Sequence, residues 1–192
     1  MRVIAGTAKG RRLVSPKGSR IRPTSDKVKE ALFNMLNGIT GSLSGFSVLD
    51  IFAGTGNLGI EALSRGAADA VFIDNHRDSI ALVKKNLELT GFSDKGRVVL
   101  REAVAALKIL EDTDSPFQLI FLDPPYQQEM LERVLEYLAN SRLVDENTLV
   151  VAEFSPREKL ETSFGSLREF DRRIYGDTAL AFFTIQIGGS TP

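Results

Sequence analysis

From position 46 onward, short continuous apolar runs alternate with longer segments whose apolar residues recur every three or four positions. Runs of the first kind suit strands buried on both faces, and stripes of the second kind suit amphipathic helices. The pattern predicts strands over 47–52, 70–73, 97–100, 118–122 and 149–154. Between them it predicts a helix that follows a glycine-rich turn and runs to about Arg65, then helices over 78–90, 103–110 and 129–139. Ile80, Val83 and Leu87 face inward from the second of these, Met130, Val134 and Leu138 from the last, and Gly66 and Gly91 act as stops. Near the end the rhythm changes. Segments 167–175 and 178–187 flank Gly176-Asp177, a strong signal for an antiparallel hairpin. This order implies an α/β architecture: a mostly parallel sheet, helices on both faces and one reversed strand.

The first 38 residues read differently. Val3-Ile4 and Leu13-Val14 suggest a small hairpin around the turn from Gly6 to Gly10. After Pro23, Thr24 or Ser25 can cap a helix whose stripe is Val28, Ala31, Leu32, Met35 and Leu36, ending near Gly38. The glycine-rich stretch 38–45 reads as a linker, which predicts an appendage over 1–38 and a main domain over 39–192.

Charge changes the meaning of that appendage. The whole chain of 192 residues carries a formal net charge of -1, from 24 basic and 25 acidic side chains. Its first 30 residues hold nine basic residues against Asp26 and Glu30, so an acidic body wears a basic arm. Such an arm suits a polyanion, because each phosphate it neutralises releases condensed counterions; the plainer alternative is a solvated charged terminus. Arg11, Arg12, Arg20 and Arg22 are the candidate contacts to such a polyanion, with Arg22 the best anchored because Pro23 and a helix follow it. Pro16, Gly18 and Pro23 spoil the amphipathic helix that a mitochondrial transit peptide would need.

Composition removes several chemistries. With no cysteine, disulfides, thiolate metal sites and cysteine nucleophiles are ruled out. The single histidine, His76, cannot supply a multi-histidine metal cage, and no Ser or Asp spacing makes a triad with it, so no metal is expected. Neither a run of about 18 apolar residues nor a signal-peptide pattern is present, which predicts a cytoplasmic protein without a membrane partner. A monomer is the default expectation.

Two motifs carry chemistry. The first is Val48-Leu49-Asp50-Ile51-Phe52-Ala53-Gly54-Thr55-Gly56-Asn57-Leu58-Gly59, a strand running into a glycine-rich turn that opens a helix. Gly54, Gly56 and Gly59 spell G-x-G-x-x-G, and Asp74 follows at the end of the second strand, placed to grip ribose hydroxyls. A nucleoside-containing cofactor is implied. A dinucleotide brings a pyrophosphate that wants amide donors and no nearby anion, whereas Asp50 would attract the sulfonium and ammonium of S-adenosylmethionine. The methyl donor is therefore favoured, with Asp50, Ala53, Gly54, Gly56, Gly59, Asp74, Asn75, Glu102 and Ala103 as candidate binding residues. Glu102 would accept from the adenine amino group while a backbone amide meets the ring.

The second motif is Asp123-Pro124-Pro125-Tyr126, at the carboxyl end of the fourth strand. Two prolines fix φ and remove two amide donors, which leaves carbonyl oxygens free to accept. An exocyclic amine on a base is a poor nucleophile because its lone pair is delocalised into the ring. If the Asp123 carboxylate and the Pro124 carbonyl hold its two hydrogens, the nitrogen can pyramidalise while Tyr126 stacks on the base. In a doubly wound sheet the first and fourth strands lie about 4.8 Å apart, which would bring both motifs to one crevice. From these residues alone, adenine N6 is as good an acceptor as guanine N2.

These motifs, together with Arg22-Pro23-Thr24-Ser25-Asp26-Lys27-Val28-Lys29-Glu30-Ala31-Leu32-Phe33-Asn34, make the chain resemble the bacterial guanine-N2 methyltransferases of small-subunit ribosomal RNA, the RsmD type. The glycine loop, Asp74 and the Asp123 turn occur in many amino-methyltransferases; the arginine-proline-threonine stretch is the discriminating piece. The resemblance implies a class I Rossmann-like, seven-stranded methyltransferase fold, S-adenosylmethionine as donor, and methylation of one guanine amine in 16S ribosomal RNA, free or in an assembling small subunit. It places cofactor roles on Asp50, Gly54, Gly56 and Asp74 and the catalytic motif on Asp123 through Tyr126. Glu102 departs from the aspartate expected there. The competing readings are an adenine-N6 or other nucleic-acid amino-methyltransferase, an NAD-dependent oxidoreductase, and a non-catalytic RNA-binding protein.

Overall fold

Each apolar run becomes a strand, and the strands stand in the order that a reversal beside the first one demands. A computed structural model describes residues 1–15, 25–124 and 128–186. Its parallel strands are β1 (Ser47–Ile51), β2 (Asp69–Asp74), β3 (Gly96–Leu100), β4 (Leu119–Leu122) and β5 (Leu149–Phe154). The carboxyl-terminal strands are β6 (Ser163–Phe164), β7 (Leu167–Tyr175) and β8 (Thr178–Ile185). Together they form one eight-stranded sheet ordered β3-β2-β1-β4-β5-β8-β7-β6. β8 inserts antiparallel between β5 and β7, which is the expected reversed strand. β6 adds an eighth strand antiparallel to β7; at two residues it is too short to leave a period in the sequence.

The helices are α1 (Asp26–Thr40), α2 (Asn57–Ser64), α3 (Arg77–Thr90), α4 (Ala103–Leu110) and α5 (Gln128–Leu138). They divide the core in two. α4 and α5 pack on the face carrying Leu49, Ile51, Ile120, Leu122 and Val150. α1, α2 and α3 cover the other, with Val48, Phe72, Leu119, Phe121, Val151 and Phe182.

The amino-terminal segment is sewn into that second layer. Val3, Ala8, Leu13, Val28, Leu32, Phe33 and Leu36 belong to the same buried cluster as the sheet, and Phe33 lies 5.8 Å from Phe121, ring to ring. The expected hairpin is present but short: Arg2 bridges Arg12 antiparallel, and the Val3 amide donates to Arg11 O, the Gly10 amide to Val3 O and the Leu13 amide to Met1 O, while the amides nearer the turn find partners on α2. Ile4 and Ala5 donate to the Glu61 carboxylate, and Thr7 donates to Ser64 O. Ser25 caps α1 through the Val28 amide, 3.2 Å from its hydroxyl.

α1 differs from the sequence expectation in two ways. It runs on to Thr40 and ends at Gly41, so Gly38 lies inside it. Its buried stripe is Val28, Lys29, Leu32, Phe33 and Leu36, rotated from the one expected because a lysine occupies a core position. Ala31 and Met35 are only partly buried. Among the described residues no helix is long and apolar enough to cross a membrane.

Candidate active site

The register of β1 and β4 decides whether the two motifs can act together. The strands pair in parallel, Ile51 opposite Leu122, so the glycine loop and the Asp123 turn leave the same edge of the sheet from adjacent strands. The reversal of strand order falls there too, which is where open α/β sheets bind ligands.

Beyond β1 the chain turns sharply. Phe52 takes a left-handed φ of 66°, a conformation that costs a side-chain-bearing residue about 1–3 kcal/mol. Gly54 and Gly56 follow at φ 55° and 75°, and α2 begins at Asn57. Gly59 serves packing: a Cβ there would run into the Phe72 ring and the Asp50 carboxylate. Ala53 is buried, its amide donating to Ile73 O at 2.9 Å.

Asp74 organises the loop. One of its carboxylate oxygens accepts from the Gly54 amide at 2.9 Å and the other from the His76 amide at 2.8 Å. It lines a cleft with Phe52, Ile73, Asn75, Arg101, Glu102, Ala103 and Met130. Four expected binding residues, Asp74, Asn75, Glu102 and Ala103, therefore meet in one depression, where sequence reasoning had missed Phe52, Arg101 and Met130. Glu102 also caps α4, accepting from the Ala105 amide at 2.9 Å, so one of its oxygens is already engaged. His76 caps α3 without a side-chain bond.

Asp50 lies beneath the loop rather than in that cleft. It is buried, and its carboxylate accepts the Gly59 amide at 2.9 Å. Burial pushes its carboxyl up to about 7 against that bond, with the charge of Asp74 adding to the rise.

Asp123 stands one residue past β4. Burial first, then the charges of Glu153 and Asp50, hold its carboxyl well above the usual carboxylate range. Glu153 follows from the register: Leu122 pairs with Ala152, so the next residues, Asp123 and Glu153, are lateral neighbours. Sequence reasoning missed Glu153 because it sits inside an apolar run and has no motif; the strand pairing is what exposes it. Pro124 is partly buried after Asp123. Pro125 and Tyr126 lie outside the described residues, as do Arg20 and Arg22. Arg11 and Arg12 are exposed.

The fold and the paired loops define a Rossmann-like methyltransferase. Its family follows from comparison with known proteins. Residues 1–184 match the family model described as "Conserved hypothetical protein 95", and the chain belongs to that family. Its relatives include the "Ribosomal RNA small subunit methyltransferase D" of Escherichia coli (strain K12), 31% identical over 191 residues, which span all of this chain and 93% of that protein. The Bacillus subtilis (strain 168) protein YlbH is 38% identical over 183 residues, 95% of this chain and 98% of its own. The solved structure of the Escherichia coli protein yhhF superposes with a TM-score of 0.82 at 30% identity, covering 97% of this chain and 98% of that one. The RsmD-type resemblance therefore holds along the full chain.

Proposed function

We propose that this protein is an S-adenosylmethionine-dependent methyltransferase that methylates the N2 amine of one guanine in 16S ribosomal RNA. The observation that carries the reading is the parallel pairing of β1 with β4, which delivers the glycine loop and Asp123 to one edge of the sheet. The family's named ribosomal RNA methyltransferases support the choice of substrate.

The residues fit the donor. Asp74 holds Gly54 and His76 through their amides and keeps further lone pairs for ribose hydroxyls. The Glu102-Ala103 backbone at the start of α4 borders the same cleft and suits an adenine. A pyrophosphate would seek the amides at the start of α2, yet Asp50 already occupies the Gly59 amide. That favours a cationic methyl donor over NAD. When bound, S-adenosylmethionine supplies a methyl group made electrophilic by its sulfonium.

On the acceptor side, the Asp123 carboxyl and the Pro124 carbonyl hold the two amine hydrogens and free the nitrogen lone pair, while Tyr126 stacks on the base. The amine gains a carbon and must shed one proton. A carboxylate whose proton affinity is raised, as at Asp123, is suited to take it. The exposed Arg11 and Arg12, with Arg20 and Arg22, would hold the RNA backbone. In this reading the enzyme works as a cytoplasmic monomer on RNA or an assembling small subunit, and residues 1–38 are the RNA-binding part.

Mass spectrometry of 16S ribosomal RNA nucleosides from cells with and without the protein tests this. Loss of one N2-methylguanosine is the expected result. Loss of an N6-methyladenosine instead would reassign the base, and an unchanged profile would reject the reading.

A further inference from the structure

Lys29 has no exposed surface. Its ammonium donates to Asn57 Oδ1 at 2.6 Å and to Arg2 O at 2.7 Å, and pairs with Glu61 Oε2 at 3.1 Å. An ammonium has three donors and no acceptor, so these three partners use it fully. They also fix the Asn57 amide. Its oxygen must face Lys29, and its NH2 group must point the other way. That nitrogen is buried and has no hydrogen-bond partner, although Asn57 is only 7% exposed. Buried donors are nearly always satisfied, so an orphan beside a ligand loop asks for an explanation.

The orphan's position supplies one. Asn57 is the first residue of α2, directly after Gly56, and no side chain caps that helix. Asp50 already takes the Gly59 amide of this helix start, but behind the Asn57 amide the Lys29 and Arg65 cations share the one Glu61 carboxylate, and that surplus of positive charge favours an anion. An NH2 group can only donate, so its complement is an acceptor. The amino acid end of the methyl donor carries one carboxylate and one ammonium, and only the carboxylate accepts.

We infer that Asn57 is a binding residue for the carboxylate of the methyl donor's amino acid end, and that Lys29 is the positioning residue that aims it. The inference rests on the proposed function, since it assumes that this loop binds the methyl donor. It also links the amino-terminal segment to the donor site, because the Arg2 carbonyl and the Ile4 and Ala5 amides share the same Lys29 and Glu61 partners.

Titration calorimetry on the full chain tests it with two ligands. S-adenosylhomocysteine carries the amino acid end; 5′-methylthioadenosine keeps the adenosine and sulfur but lacks that end. Asn57→Ala is expected to weaken S-adenosylhomocysteine about tenfold, the loss of one hydrogen bond to a charged group, and to leave methylthioadenosine within about twofold. Lys29→Met should show the same selective loss, and Lys29→Arg should largely restore binding. Should Lys29→Met fail to fold, the Asn57→Ala result decides alone. Equal weakening of both ligands would mark a structural role and overturn the inference, as would unchanged S-adenosylhomocysteine binding in Asn57→Ala. If the unaltered protein bound neither ligand, the proposed function would fall first and this inference with it.

Discussion

At the scale of single residues, Asp50 shows how burial turns a side chain into a pH-dependent element. Its carboxyl is raised to about 7, so between about pH 4 and 7 the folded chain binds more proton than the unfolded one. Stability from this group is therefore full below the unfolded value and is lost as pH rises through 7. Asp50→Asn keeps an acceptor for the Gly59 amide and removes the titration. Urea unfolding should find the variant more stable than the parent at pH 8, by a few kcal/mol, with the gap closing toward pH 4. Gly59→Ala tests the loop from its packing side. The added methyl would collide with Phe72, a core ring without exposed surface, and should lower stability by about 1–3 kcal/mol in the same assay. Residues of this kind differ in how far a sequence betrays them. Asp50, Gly54 and Asp74 were legible because strand, turn and spacing form a recognisable unit. Glu153 and Lys29 were not, because a charge within an apolar stripe reads as solvent-facing until the pairing of strands or the rotation of a helix is known.

At the scale of elements, the central strands were legible because burial on both faces forces unbroken apolar runs, as in Leu119–Leu122, all four residues of which are buried. Their order followed from chain connectivity, and the reversal beside β1 set the place of the site. α1 was harder. Its true face includes Lys29, whose desolvation lowers the ammonium pKa even though Glu61 and Asn57 hold it. Glu61 in turn accepts from Arg65 at 2.8 Å and from two amides of the amino-terminal segment. Removing one partner from such a network leaves a buried charge uncompensated. Glu61→Ala should therefore cost about 3–5 kcal/mol, read as a lowered denaturation midpoint. The apolar side of the same contact is Phe33, packed on Phe121 and beneath the Arg65 guanidinium at 4.7 Å. Phe33→Ala should cost a similar amount through the cavity it leaves.

At the scale of the whole molecule, charge and packing give the amino-terminal segment two roles that pull toward different experiments. Its basic excess suggests a detachable arm, and the glycine-rich composition of 38–45 suggests a boundary after it, yet α1 runs through Gly38 to Thr40. Packing ties the segment to the body, since Val3, Ala8, Leu13 and the buried face of α1 complete one side of the sheet core. Deleting residues 1–40 would strip Phe33 from Phe121 and take Val3, Ala8, Leu13, Val28, Leu32 and Leu36 out of the shared core, opening apolar surface that folded proteins rarely leave bare. The shortened chain should accordingly aggregate or lose its cooperative unfolding transition, as seen by sedimentation and circular dichroism, rather than persist as a folded donor-binding domain. Charge is better tested without touching the core. Arg11 and Arg12 are exposed, so replacing both with Ala should leave the unfolding midpoint in place while weakening binding to a 16S ribosomal RNA fragment. If each arginine neutralises one phosphate, the slope of log K against log salt should shrink by roughly 1–2. A slope that did not change would move the RNA contact off this segment and leave it with a packing role alone.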